Sequence, residues 1–329
     1  MRLPIRLLLV LLVLQVLSAC SPLALAVAEG SFQRTLNVTG PVDLDVSTGS
    51  GNITVRTGDE GSVRVSGTIR ASKSWLGTDD VEKRIRYLEE HPPIEQNGNF
   101  LRIGHITDAD GELQRHLSIS YDLVVPAATR LRSRTGSGDQ IIGGVRGPVN
   151  ANTGSGSIKI GKLSAEVHAE TGSGDVELES VEGLVRVSTG SGSIRATGIT
   201  SDFKGTTGSG DVIVEQSTAN DVTVETGSGN VVIRNVRGAL HASTGSGDVT
   251  VQGEVGGDWR AGTGSGNVTV KLPALASFVI EAKTSSGTIH MAREVTVQGT
   301  VGKNELRGKV GGGGPLVQLR TGSGDIRIE

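Results

Sequence analysis

The chain has 329 residues, 32 Lys and Arg against 35 Asp and Glu for a net charge of −3, one cysteine, 49 glycines and 2% aromatic residues. So small a net charge offers no basic footprint for nucleic acid, and a single cysteine excludes a disulfide framework. The scarcity of aromatics asks for a core of aliphatic side chains.

Residues 1–20 read as a targeting segment. Met1–Arg6 is a short basic stretch, and Leu7–Leu17 is an apolar run too short for a comfortable membrane span. It ends in Leu17-Ser18-Ala19-Cys20, which resembles the bacterial lipobox. That resemblance implies that Cys20 is lipidated and becomes the new N-terminus, and Ser21 behind it implies the outer membrane where the host has one. The alternative is an ordinary secretory signal cut after Ala28, with Cys20 lost. Residues 21–30 then form a tether.

Residues 31–130 are expected to form a strand-rich start and cap. Thr48–Gly51 reads Thr-Gly-Ser-Gly, and Ile53-Thr54-Val55 and Val63-Arg64-Val65 alternate as strands do. One helix is predicted near 79–90: Asp79 and Glu82 fit a capping box, Val81, Ile85 and Leu88 share a face, and Pro92-Pro93 stops it. Asn97-Gly98 predicts a type I′ hairpin turn. Residues 117–125 predict a further strand, ended by Pro126.

From residue 131 onward the chain repeats. Thr-Gly-Ser-Gly recurs at 135, 153, 171, 189, 207, 226, 244 and 263, every 18 or 19 residues. A degenerate Thr284-Ser285-Ser286-Gly287 and a last copy at Thr321 follow at longer intervals. A fixed short period signals a repeat architecture. Within each period two strands of alternating pattern flank the turn. Leu131, Val149, Val167, Val185, Phe203, Val222, Leu240, Trp259 and Ile280 lie four residues before it, and nearly every residue five or seven after its threonine is Val, Ile or Leu. Two short strands per 18 residues, all repeating in one direction, pair with their counterparts one coil on. The fold class is therefore all-β, a parallel β-solenoid over 131–329 continuous with the preceding part.

The corner itself carries two expectations. The second glycine is expected in the left-handed conformation, with the first relieving crowding. The position after the turn reads Asp139, Ser157, Asp175, Ser193, Asp211, Asn230, Asp248, Asn267, so aspartate never stacks on aspartate. Coils about 4.8 Å apart would bring such carboxylates into repulsion. The last strand, Asp325–Ile328, is expected at the end of the stack, its edge closed by Gly311–Gly314 or paired with another copy.

The passage Tyr121–Asp139 (YDLVVPAATRLRSRTGSGD), leading into Thr-Gly-Ser-Gly-Asp-Val coils, resembles the bacterial putative-adhesin β-repeat family, a domain of unknown function. The resemblance covers roughly 35–329. It implies a β-solenoid in envelope proteins, many of them lipoproteins, without established enzymatic residues.

The chemistry-bearing residues are then weighed one class at a time. Gly-Ser-Gly leads into strands, never into the helix that a phosphate loop needs. The alternation of Asp with Ser or Asn suits a turn cap better than a calcium ladder. The six histidines show no metal-ligand spacing, so no catalytic, metal or cofactor residue is assigned. An outward row three residues before the turn, Arg132, Asn150, His168, Arg186, Lys204, Thr223, His241, Arg260, is mostly basic. Of these, Arg132, His168, Arg186, Lys204, His241 and Arg260 form a possible binding stripe for an anionic glycan, lipid or envelope protein. Lys159, Glu177 and Arg195 alternate in sign as a structural ladder. The expected function is a non-catalytic, lipid-anchored envelope scaffold or adhesin-like surface. The alternative is a carbohydrate-active β-helix enzyme, a polysaccharide lyase or hydrolase.

Overall fold

A computed structural model describes residues 27–72, 78–105, 117–292 and 302–329. The targeting segment, Cys20 and His116 lie outside the described residues, and so does the side chain of Asp79 with its capping box.

Two 14-stranded sheets face each other across one aliphatic core. One sheet collects the strands that enter each Thr-Gly-Ser-Gly corner, and the other collects the strands that leave it. Both are parallel through the repeats, and each strand pairs with its counterpart one coil on, in register except for shifts at the ends of two exit strands, after Thr197 and after Ile233. Val149 lies opposite Val167, then come Val185, Phe203, Val222, Leu240 and Trp259. In the exit sheet Ile158, Val176, Ile194, Val212, Val231, Val249 and Val268 form the matching row. Alternation sends these residues inward, and all of them are buried, Phe203 and Trp259 included. The parallel β-solenoid with two strands per coil is thus the observed fold.

Spatial order departs from chain order at both ends. Strand Val42–Thr48 lies beside Thr129–Thr135, and Ile53–Thr57 beside Gln140–Gly143, so the coil at 48 stacks directly on the coil at 135. The intervening chain covers the end. Strands Ser62–Ser72 and Val27–Asn37 extend the exit sheet antiparallel beyond Leu117–Val125. Helix α1 (Thr78–Glu90) buries Val81, Ile85 and Leu88. It comes so close to the outermost strand that a Cβ on Gly30 would collide with Ile85. Glu89 Oε1 accepts the edge amide of Ser31 at 2.8 Å. A helix over an otherwise open strand edge removes a template for unwanted pairing. The hairpin Ile94–Asn97/Phe100–Ile103 turns at Gly98-Asn99, one residue later than expected. Only Gly98 has positive φ (60°), the arrangement of a type II′ turn rather than I′.

At the other end, strand Leu316–Ser323 sits between Trp259–Ser265 and Phe278–Ser286. Ile326–Ile328 likewise sits between Val268–Lys271 and Ile289–Met291. The inward row therefore runs Trp259, Val317, Ile280, and the last strand of the sequence is internal. The stack ends instead on the short strand Ile289–Met291 and on Glu305–Val310, which pairs antiparallel with Phe278–Ser286. Gly311–Gly314 makes the turn between Glu305–Val310 and the intercalated coil, with φ of 59°, 76° and 150° at Gly311, Gly313 and Gly314. The sequence period misses this because an 18-residue repeat encodes what a coil looks like, not which neighbour it takes.

The corner chemistry corrects one expectation and explains another. The second corner glycine has positive φ at Gly51, Gly247, Gly266 and Gly324 (140–151°), but Gly156 and Gly174, in the middle of the stack, are not among the positive-φ glycines. A Cβ on Gly174 would penetrate the carbonyl of Gly156, and one on Gly172 the carbonyl of Gly154. Close approach of coil to coil thus requires glycine at both positions in these copies, and positive φ adds to that demand only at Gly51, Gly247, Gly266 and Gly324. A left-handed residue also sits toward the other corner, just after the exit strand at Gly144 and one residue before the strand's end at Lys162, Ser180, Gly198 and Asn235 (φ 57–79°).

The corner threonines, whose role the sequence did not betray, are buried and point along the stack. Thr171 Oγ1 donates to the Gly156 carbonyl, Thr189 to Gly174 and Thr207 to Gly192, each at 2.8 Å. Thr189 Oγ1 also accepts the Gly192 amide at 3.1 Å. Thr189→Val keeps the shape but strands a buried carbonyl and an amide. It should cost about 1–3 kcal/mol in urea unfolding, whereas Thr189→Ser should retain most of the stability.

Candidate functional site

The position after the corner forms a hydrogen-bonded row in spatial order. Asn52, Asp139, Asp175, Asp211, Asn230, Asp248, Asn267 and Asp325 each offer a side-chain oxygen to the backbone amide of the equivalent residue on the next coil, at 2.7–3.0 Å. Carboxylates alternate with neutral side chains along the whole row, and the intercalated coil keeps the pattern as Asn267, Asp325, Thr288. The Thr288 amide and hydroxyl hold the Asp325 carboxyl below the usual carboxylate range. This is the turn-cap role in each case, made to the neighbouring coil's backbone. Among the described residues there is no group of three or more His, Cys, Asp or Glu able to hold a metal ion.

The predicted stripe lies on the outer face of the entry sheet. Register places Arg132, Asn150, His168, Arg186, Lys204, Thr223, His241 and Arg260 on successive coils, one beside the next. Its charge is largely compensated from the flanking positions. Arg186 Nη1 meets Glu166 Oε1 at 2.5 Å, and Arg132 Nη1 meets Asp43 Oδ1 at 3.7 Å. His168 Nε2 lies 3.0 Å from Glu170 Oε1 and His241 Nε2 3.9 Å from Glu225 Oε1. Among the described residues, Lys204 and Arg260 have no such carboxylate. The row is therefore continuous in space without being continuous in charge. Exposed ion pairs of this kind contribute about 0–1 kcal/mol each; their effect is to mute the field of the face.

On the exit sheet, Lys159 Nζ meets Glu177 Oε2 at 2.9 Å, with Arg195 opposite Glu177 on the next coil. Glu177, by hydrogen bond and by charge, raises the Lys159 pKa. Toward the capped end a denser cluster appears that the period did not flag. Asp45 faces His105 (Oδ1–Nε2 3.1 Å) and Arg134 (Oδ2–Nη2 3.6 Å). Close to Gly104, the buried Tyr121 hydroxyl has no hydrogen-bond partner among the described residues, and burial raises its pKa. These residues come from the entry sheet, its edge hairpin and the antiparallel cap. Only the folded topology unites them.

A shallow groove of about 540 Å³ runs over the corners, lined by Arg134, Asn152, Glu170 and Ser188 with the threonines and glycines between them. The coils supply no long loops to wall it.

Residues 164–329, just over half of the chain, match the family profile Toastrack DUF4097. The match begins after the Tyr121–Asp139 passage. Among solved structures the chain is similar to a putative adhesin from Bacteroides fragilis NCTC 9343, at 15% identity and TM-score 0.33, covering 91% of this chain and 97% of that one. A putative adhesin from Parabacteroides distasonis ATCC 8503 matches at 15% identity and TM-score 0.27, with the same coverages. A putative cell adhesion protein from Clostridium sporogenes ATCC 15579 matches at 12% and 0.22, covering 92% and 99%. No curated protein matches the sequence.

Proposed function

The chain belongs to the Toastrack DUF4097 family, and on that premise we propose that it is a non-catalytic scaffold of the bacterial cell envelope. It is tethered through a lipid on Cys20 and offers its long outer sheet faces for adhesion or assembly with a glycan or envelope protein. The observation that carries this reading is the regularity of the solenoid. Coils of 18 or 19 residues stack in register from residue 131 to about residue 271, and their outer faces carry polar rows in place of a walled cleft. Such a shape presents one chemistry repeatedly along an axis, which suits contact with extended or repeating partners. The lipobox-like Leu17–Cys20 supplies the anchor.

Protease treatment of intact cells tests both parts. The solenoid should be cleaved on wild-type cells, and a Cys20→Ala chain should appear in the soluble fraction. Protection until the envelope is opened would end the adhesive reading, and retention of Cys20→Ala would end the lipid anchor.

A further inference from the structure

The entry-sheet face changes character near Gly262. Arg320 lies directly opposite Lys283 on the neighbouring coil, at the spacing of about 4.8 Å between paired strands. Like charges so placed are destabilising unless something neutralises them. Arg186 and Lys204 form a similar pair, but there Arg186 is tied to Glu166. Neither Arg320 nor Lys283 has a carboxylate partner among the described residues. The nearby acids are engaged elsewhere: Glu281 accepts from Gln318 at 3.2 Å, and Glu305, opposite Lys283, pairs with Arg307 at 3.3 Å. On its other side Arg320 faces Gly262, which has no side chain and so leaves a notch. Arg260, diagonal to Arg320 and unpaired as well, is within the reach of long side chains across a diagonal of about 7–8 Å. All three cations are exposed.

We propose that Arg320, Lys283 and Arg260 form an anion-binding notch over Gly262 that takes the carboxylate of an acidic polysaccharide strand lying along the solenoid axis. Two unpaired cations held face to face are compensated once an anion sits between them. The polar neighbours Gln318 and Ser243 suit sugar hydroxyls, and among the described residues the strands that carry the three cations have no exposed large apolar side chain to offer purchase to an acyl chain. Intercalation of the last coil builds the notch, since it brings Arg320 between strands contributed by residues 259–265 and 278–286. The proposal deepens the scaffold reading by naming a ligand class. Its test uses purified protein, so its outcome is independent of where the protein sits on the cell.

Binding of the full mature chain to polygalacturonate at low salt, against neutral dextran, would be measured by calorimetry and affinity electrophoresis. Arg320→Gln/Lys283→Gln should weaken binding by about tenfold or more. Arg134→Gln, whose cation is already paired with Asp45, should change it less than about twofold. Thermal unfolding of Lys283→Gln should be no lower than wild type, because a repulsion is removed. Equal binding by wild type and the double variant would overturn the proposal, as would no retention of wild type by polygalacturonate. Preference for phosphatidylglycerol vesicles over the polysaccharide would overturn it too.

Discussion

Gly174→Ala is expected to destabilise the solenoid by more than the 1–3 kcal/mol or so typical of an overpacked site. The added methyl meets backbone, the carbonyl of Gly156, and not a side chain that could swing away. Relief would require two coils to separate, which also stretches the Thr171 and Thr189 hydrogen bonds on either side. Gly174→Asn separates the two explanations for a corner glycine. Asparagine tolerates the left-handed region, so it would be mild if backbone conformation were the demand. Since contact is the demand, it should be as damaging as alanine. Ser173→Ala, at the exposed tip between the glycines, should stay within about 0.5 kcal/mol of wild type. Urea unfolding of the four proteins checks the order.

Val185→Asp should unfold the central coils. Val185 is fully buried between Val167 and Phe203, and an uncompensated charge there costs about 3–5 kcal/mol, a large part of a domain's total stability of about 5–15 kcal/mol. Arg186→Asp, one residue along and exposed, exchanges an ion pair with Glu166 for a repulsion in water. It should shift stability by about 1 kcal/mol at most. Circular dichroism melts that gave the two variants equal stability would refute the inward and outward assignment of the entry sheet.

The period of the sequence carried the fold well because each coil repeats the same three demands: an alternating strand, a corner without side chains, and a second alternating strand. Val149, Val167 and Val185 could be aligned by counting alone, and the structure stacks them so. Counting fails where the reason for a residue lies in its neighbour. The second glycine of each corner reads as a left-handed residue because a lone turn needs one; at Gly156 and Gly174 its cause is the coil beneath. Nothing in the period tells that the threonine hydroxyls bridge coils. Adjacency failed too. Asp45 and Arg134, 89 positions apart by their numbering, meet because the coil at 48 rests on the coil at 135. Arg320 meets Lys283 only because the last coil lies inside the stack. The stripe from Arg132 to Arg260 was legible as a row, but its neutralisation by Glu166, Glu170, Glu225 and Asp43 was not, since these acids come from other positions of the period.

A stacked-repeat protein ordinarily behaves as a one-dimensional array, in which losing a terminal unit bares one new interface and costs one neighbour term. Residues 316–328 break that accounting. They touch coils on both sides, through Thr321 to Gly266 and from Gly324 to Thr284, so their removal would open two interfaces at once and leave residues 278–291 and 305–310 without a support. They act as a keystone: the stretch added late to the chain locks stretches made earlier, and the array closes only when it has been threaded into place.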